Sequence, residues 1–502
     1  MEDANRSRQH VKETDFVPIA IIGAGFSGIA AGCRIKEKLG FSQFKIFDRM
    51  GEVGGVWSRQ IYPGVACDIP APLYSLSFAQ NLEWSTFTPP GKEIQHYLDS
   101  VCKRYRINDN IQLNTEITHL QWEVCSSQWR VTGTVIHEGK VRTPFSLYAK
   151  VIINAAGKFI EPNLVGIQDV PGFEDFKGDV LHTSNWDSTL NLEGKNVLVV
   201  GSGCTAAQIV PSLLKTTANV KTVTQLMRSA PWVRPRFLSK KAMGLWETHL
   251  PWLIQTIPLL AVIIRGIIFL VTESQFFLIF GSRSGRKRLK KKLIRYIQQA
   301  APEKYHEILT PNYEVGCKRF VQDATWFESL HDPRMHLTTE TLKRITKDAV
   351  VLESQGNGEE RVIPADVIVL ATGYDTSTFF PSIKTTGKDG LELHQVWTER
   401  GGPQAYMGIA IDKFPNLFLL GGPNSSSGHT SVIINIENGL SYILNLLRPI
   451  VNGEVSTWEI KEYACTRWTA RIQEASKNRV WKTGGCSNWY IGKNGWNGTV
   501  YP

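Results

Sequence analysis

Residues 16–49 read FVPIAIIGAGFSGIAAGCRIKEKLGFSQFKIFDR. The stretch opens on an apolar run from Phe16 to Ile22 and turns on glycine. It continues with apolar residues at helical spacing and closes on a second short run, Phe44 to Phe47. Strand, glycine turn, helix, strand is the first unit of a doubly wound parallel sheet. Each glycine of GAGFSG has its own reason to be there. Gly23 permits the tight turn, Gly25 lets the backbone approach a pyrophosphate, and Gly28 lets the helix pack close. The start of that helix, with Phe26 and Ser27 in its first turn, offers N–H groups and a positive dipole end to phosphate. Asp48, twenty residues after Gly28, suits a ribose diol.

The unit recurs. NVLVVG (196–201) leads into GSGCTA, in which Gly201 and Gly203 repeat the first two glycines and Ala206 replaces the third. A helix is expected from about Thr205 to Leu214, then a strand, VKTVTQLMR (220–228). No acid stands where Asp48 stood; the strand ends at Arg228, followed by Ser229. A carboxylate would repel a 2′-phosphate, whereas a guanidinium grips it with two hydrogen bonds. This favours NADPH, with Ser202 and Thr205 supplying hydroxyls to the pyrophosphate. Runs ending in glycine at 151–157, 367–373 and 417–422 read as further strands. The expected class is α/β, with two Rossmann-like dinucleotide-binding domains, the second inserted into the first. The first occupies 1–160 and 361–502, a linker covers 161–176, and the second spans 177–360 with a helical insertion at about 235–300. VIVLATG (367–373) is expected to return to the first domain.

A chain of 502 residues is too long for one compact core. Its net charge of +10 is concentrated in RSGRKRLKKKLIR (283–295), a local patch able to attract anions. No nucleic-acid partner is expected. The eight cysteines show no CxxC and no zinc spacing, which predicts reduced thiols in an intracellular protein and no metal. The start of the chain, MEDANRSRQHVKETD, lacks the apolar core of a signal peptide. WLIQTIPLLAVIIRGIIFLVTESQFFLIF (252–280) is long and apolar but carries Arg265 at its middle, costly inside a bilayer. Two readings stay open. One is a buried or lid-like helical pair broken near Pro258 or Gly266. The other is contact with a membrane surface through 252–296, the basic run facing anionic lipid.

Two further stretches carry a family resemblance. GGVWSRQIYPGVACD (54–68) has the form G-G-x-W…Y-P-G…D, and FKGDVLHTSNWD (176–187) has the form F-x-G-x-x-x-H-x-x-x-W-D. The pair resembles the signatures of type I (class B) Baeyer–Villiger monooxygenases. The resemblance implies FAD in the first domain, NADPH in the second, and O₂ activated as a C4a-peroxyflavin. It implies insertion of one oxygen next to a ketone carbonyl to give an ester or lactone, in keeping with secondary metabolism. Trp57 and Tyr62 offer flat faces to a flavin, and Gly54, Gly55 and Gly64 allow close approach. By resemblance, Asp68 lies beside the reacting edge of the ring. Phe176, Gly178, His182 and Trp186 couple the domains, with Gly178 supplying a φ that other residues resist. Lys318 and Arg319 follow Cys317 at the family's Lys-Arg place, so Arg319 reaches the flavin and Lys318 helps hold the 2′-phosphate. SNWYIGKNGWNGTVYP (487–502) resembles the family's C-terminal ending and puts Trp489 at the nicotinamide or substrate pocket. The same scaffold can oxygenate nitrogen or sulfur, which is the alternative. Aromatic and apolar residues in 230–280 hint at a bulky, lipophilic ketone.

Overall fold

The computed structural model describes residues 15–164, 166–215, 219–376 and 379–502. Residues 1–14 of the polar N-terminal stretch lie outside them.

The first sheet has eight strands. At its centre, Asp15–Ile22 runs parallel to Phe44–Phe47 on one side and to Arg142–Asn154 on the other. Ile19 to Ile22 are all buried, as a parallel strand covered on both faces requires. Helix Phe26–Leu39 shares one core with helix Val432–Val451 through Ala30, Ala31, Cys33, Ile433, Ile436 and Leu440. It ends where Gly40 takes φ 63°, the left-handed conformation that closes many helices. Thr115–Glu123 and Gln128–Ile136 extend the sheet as an antiparallel meander. Leu417–Leu419 adds a parallel strand beside Arg142–Asn154, so the C-terminal part of the chain does return to the first unit.

The second sheet has five parallel strands, in the order Met335–Thr338, Thr222–Leu226, Asn196–Val200, Val367–Leu370, Asp179–His182. This corrects one expectation. Val367–Leu370 lies inside the second sheet, paired with Asn196–Val200 and Asp179–His182, rather than in the first domain. The chain therefore crosses back after Leu370, not at 361. An apolar run announces a strand but not which of two similar sheets will pair with it. An antiparallel trio, Thr341–Ile345, Ala349–Glu353 and Glu360–Pro364, caps the second sheet through Val350 and Leu352, which share a core with Leu198 and Ile368.

The insertion consists of helices Lys240–Thr256, Pro258–Phe276 and Arg283–Ala300. The break falls at Ile257–Pro258, where proline takes the first helical position; Gly266 continues the helix. The buried reading of this segment fails. Only 11% of the most apolar window within Leu259–Gly281 is buried.

The cysteines also depart from expectation. Cys317 and Cys486 form a disulfide with Cα atoms 6.1 Å apart, while Cys33, Cys67, Cys102, Cys125, Cys204 and Cys465 are free. The partners stand 169 residues apart, a distance that no local spacing rule reads. Closing so long a loop restricts the unfolded chain. Reduction, or Cys486→Ala, is expected to lower the unfolding free energy by about 2–4 kcal/mol. Guanidinium titrations with and without dithiothreitol check this, and coincident curves would rule it out.

Candidate active site

Both glycine loops sit at the carboxyl ends of their central strands, where ligands of doubly wound sheets bind. Gly23 has φ 105° and donates to Phe47 O at 2.7 Å. A Cβ on Gly28 would fall 1.8 Å from Gly23 O, and one on Gly55 would fall 2.9 Å from the Gly25 Cα. The Gly54–Gly55 turn thus lies directly against the first loop. Helix Phe26–Leu39 has no side-chain cap at Gly25, so its first N–H groups remain for an anion. Phe26 turns inward to meet Tyr74 edge-on, with ring centroids 5.3 Å apart, so its side chain is part of the core and not of the cradle. Asp48 accepts from Ala24 N at 2.6 Å and Met50 N at 2.9 Å. Its carboxylate holds both turns in place. Burial raises its pKa, and these two donors oppose the rise. The cradle fits a dinucleotide.

In the second loop Gly201 has φ 134° and packs so close that a Cβ would fall 2.4 Å from Ala371 O, whereas the space around Gly203 is open. Ala206 is fully buried on the helix Cys204–Lys215. Ser202 Oγ donates to Ser229 O at 2.9 Å, and Lys318 Nζ to Ser229 Oγ at 3.0 Å. Lys318 titrates below its ordinary value, first through burial and then through the charge of Arg228. Among the described residues no carboxylate pairs with either cation. Two adjacent, uncompensated cations beside a glycine loop fit a phosphate ester.

Arg319 Nη2 donates to both carboxylate oxygens of Asp68, at 2.6 and 2.8 Å. Its side chain remains 46% accessible, whereas that of Asp68 is 17% accessible. The Asp68 charge raises the Arg319 pKa further, so the guanidinium stays charged. The Cys204 thiol donates toward Asp68 at 3.6 Å. Burial and then the Asp68 charge push that thiol up to about 12, so it stays neutral. Tyr490 is pushed up to about 12 by burial, with Arg319 acting in the opposite sense. The disulfide ties the Lys318–Arg319 loop to the segment bearing Trp489 and Tyr490. Trp489 is 37% exposed and meets Tyr490 at 4.6 Å and Phe159 at 6.1 Å between ring centroids.

Other predicted residues are placed differently. Tyr62 is buried in the second domain's core and donates to Gln208 Oε1 at 2.7 Å, so its ring is not free for a flavin. Gly64 makes its close approach to helix Cys204–Lys215: a Cβ would fall 2.0 Å from Ser212 Oγ. With Gln208 Nε2 donating to Ala66 O at 2.8 Å, this segment is the contact between domains. Trp57 donates to Tyr74 Oη at 3.1 Å and lines a 790 Å³ cleft with Val65, Gln95 and His96 that does not include Arg319. Gly178 does not take positive φ; it is small because Asp366 O would lie 2.2 Å from a Cβ, with Phe176 folded over it. His182 is buried, its Nδ1 accepting from Ser184 N at 3.1 Å and its Nε2 meeting Gly373 O at 3.0 Å. It joins the outgoing strand to the returning one, and Trp186 anchors in the second core.

Sequence reasoning missed Cys204, Gln208, Tyr490 and Lys158. Lys158 directly follows Gly157 after an expected strand, the one available signal. Its Nζ bonds Thr499 and sits 4.4 Å from the Phe379 ring centre and 5.1 Å from that of Trp489. Burial lowers its pKa to about 7.

Residues 17–243 match the family described as flavin-binding monooxygenase-like. A Baeyer–Villiger monooxygenase of Streptomyces coelicolor is 31% identical, with 98% of this chain and 90% of that protein covered. One from Pseudomonas aeruginosa is also 31% identical, over 96% and 87%. Among solved structures, cyclohexanone monooxygenase from Rhodococcus sp. Phi1 bound to NADP⁺ shares the fold, with TM-score 0.78, 24% identity, and 97% and 94% of the chains covered. An oxidized steroid monooxygenase bound to NADP matches with TM-score 0.78 at 21% identity, over 97% and 95%. Full-length identity at this level and a shared two-nucleotide architecture lead to one assignment: the chain belongs to the Baeyer–Villiger monooxygenases, flavoenzymes that use FAD and NADPH.

Proposed function

We propose that this enzyme inserts one atom of O₂ beside the carbonyl of a bulky, lipophilic ketone. An ester or lactone forms, the second oxygen atom leaves as water, and NADPH supplies two electrons. When bound, FAD supplies the oxygen activation and NADPH the hydride. The observation that carries this reading is the Arg319–Asp68 pair, set where the second glycine loop meets the first domain's Tyr62–Asp68 segment. As the carbonyl is attacked, negative charge develops on its oxygen. A guanidinium that cannot lose its proton stabilises that charge, and Asp68 fixes its orientation.

In this reading Gly23, Gly25, Ser27, Gly28, Asp48 and Gly55 hold FAD. Gly201, Ser202, Gly203, Thr205 and Ala206 cradle the second pyrophosphate, and Arg228, Ser229 and Lys318 receive the 2′-phosphate. Trp489 borders the substrate, and His182, on a strand of the second sheet, couples the domains through Gly373 in the returning connector. The enzyme works in the cytoplasm, where burial of Cys317 shields the disulfide, and touches a membrane surface through 252–296. Aerobic turnover of a ketone panel with NADPH, read for mass gain of one oxygen, tests the reading; hydrogen peroxide as the sole oxygen product would defeat it.

The 2′-phosphate assignment has its own expected outcome. Arg228→Ala and Lys318→Ala each raise the KM for NADPH by roughly 10- to 100-fold, the worth of one charge-assisted contact. The KM for NADH stays within about twofold. Steady-state kinetics with both nucleotides decides, since an equal rise for both would show loss of general binding.

A further inference from the structure

The helix Pro258–Phe276 and the turn that follows it, Phe277–Gly281, lie along the protein. One side is tied down throughout. Ala261 and Thr272 are buried, and Arg265 donates to Ser75 O at 3.0 Å and also to Pro72 O. Gln275 Oε1 accepts from Arg234 at 2.9 Å, Glu273 faces His429 at 3.2 Å, and Ile279 and Phe280 are buried. The inner positions 261, 265, 272 and 279 recur at four and seven residues, the spacing of one helical face. The opposite face is apolar and bare. Leu259, Leu270 and Phe277 are 66%, 67% and 70% exposed, and Val262, Ile263, Ile267, Val271 and Leu278 are exposed beside them.

The helix is tied by polar contacts to Pro72, Ser75, Arg234 and His429 of the nucleotide-domain chain, which a bilayer core would not accommodate. Its free face can lie in the plane of a bilayer. Charge identifies the surface it meets. The next helix, Arg283–Ala300, carries eight basic residues from Arg283 to Arg295 and no acidic residue. Arg283, Lys287, Arg288, Lys291, Lys292 and Arg295 are exposed, and among the described residues none of the eight joins an ion pair. A bare apolar strip followed by a helix with six exposed cations complements acyl chains under anionic headgroups. A nucleic acid would leave the strip in water, and a second copy of this chain would bring the same positive charge against itself.

Resting on the membrane-surface contact proposed above, we infer that the enzyme is monotopic. The Leu259–Leu278 face inserts in the plane of an anionic leaflet, and the 283–295 cations bind its headgroups. The test is co-sedimentation of the FAD-loaded protein with vesicles of phosphatidylcholine alone, or with a quarter of phosphatidylserine, at low and high salt. Expected is binding to the anionic vesicles that is at least tenfold weaker on neutral ones and weakened by salt. Leu259→Glu with Leu270→Glu, both exposed positions, abolishes it. Lys287→Ala with Lys291→Ala and Lys292→Ala weakens it by about a hundredfold, at roughly fivefold per basic side chain. Both variants keep wild-type NADPH oxidation with a water-soluble ketone. Equal binding to both vesicle types overturns the anionic selection while leaving surface contact standing. No binding to either overturns both. Self-association dispersed by Leu270→Glu in light scattering, without vesicle binding, assigns the face to a second copy and overturns the proposal. Binding of an RNA homopolymer in preference to anionic vesicles does the same.

Discussion

Arg319→Ala is expected to keep flavin reduction by NADPH near the wild-type rate and to lose ketone oxygenation by about a hundred- to a thousandfold. The reason is the timing of charge. Hydride transfer creates no oxyanion near Arg319, whereas attack on the carbonyl does. A guanidinium about 4 Å from that oxygen contributes something like 4 kcal/mol at an effective dielectric of 20. The side chain is 46% accessible before ligands close over it, so the loss falls toward the lower end if water remains in the site. Arg319→Lys keeps the charge but not the planar, delocalised guanidinium or its reach, and should restore only part of the rate. Anaerobic stopped-flow reduction and aerobic ester formation separate the two half-reactions. Equal loss in both would make Arg319 a structural residue.

Gly28→Ala is expected to yield protein with less than about a tenth of the wild-type flavin. Its Cβ would lie 1.8 Å from the Gly23 carbonyl oxygen, a backbone atom, with Ile21 behind it. The helix must lift from the strand, and overpacking of this kind costs about 1–3 kcal/mol even before the loop is distorted. Gly25→Ala is the contrast. Gly25 has φ −87°, and its added Cβ meets Gly55 Cα at 3.5 Å, an ordinary contact. That variant should fold normally and lose flavin affinity alone, because in the proposed cradle Gly25 is where the backbone approaches the pyrophosphate. Flavin absorbance per protein, read beside thermal melting, distinguishes them. Full flavin content and an unchanged melting temperature in Gly28→Ala would remove the glycine loop from the cofactor site.

The parts of this fold governed by local backbone rules were legible in the sequence. GAGFSG and GSGCTA each had to turn a strand into a helix, and the positive φ values of Gly23 and Gly201 follow from that geometry. Arg319, Lys318 and Asp68 were reached through family resemblance; an adjacent Lys-Arg pair otherwise reads as solvated charge. What stayed hidden is long-range. Tyr62 and Gly64 lie in a flavin-like motif yet serve helix Cys204–Lys215 of the other domain. The two sheets accept similar apolar strands, so Val367–Leu370 could not be assigned from its own residues. Cys317 and Cys486 become neighbours only after the C-terminal segment folds back on the Arg319 loop. The outer face of 258–278 reads as core because its apolar residues carry no sign of whether protein or lipid will cover them.

The most direct measurement uses the purified yellow protein, NADPH, isotopically heavy O₂ and a ketone accepted in the panel. One heavy oxygen is expected in each ester molecule formed, with one NADPH consumed per ester. Heavy oxygen found only in hydrogen peroxide or water, with the ketone recovered unchanged, would contradict ketone oxygenation at the Arg319–Asp68 site.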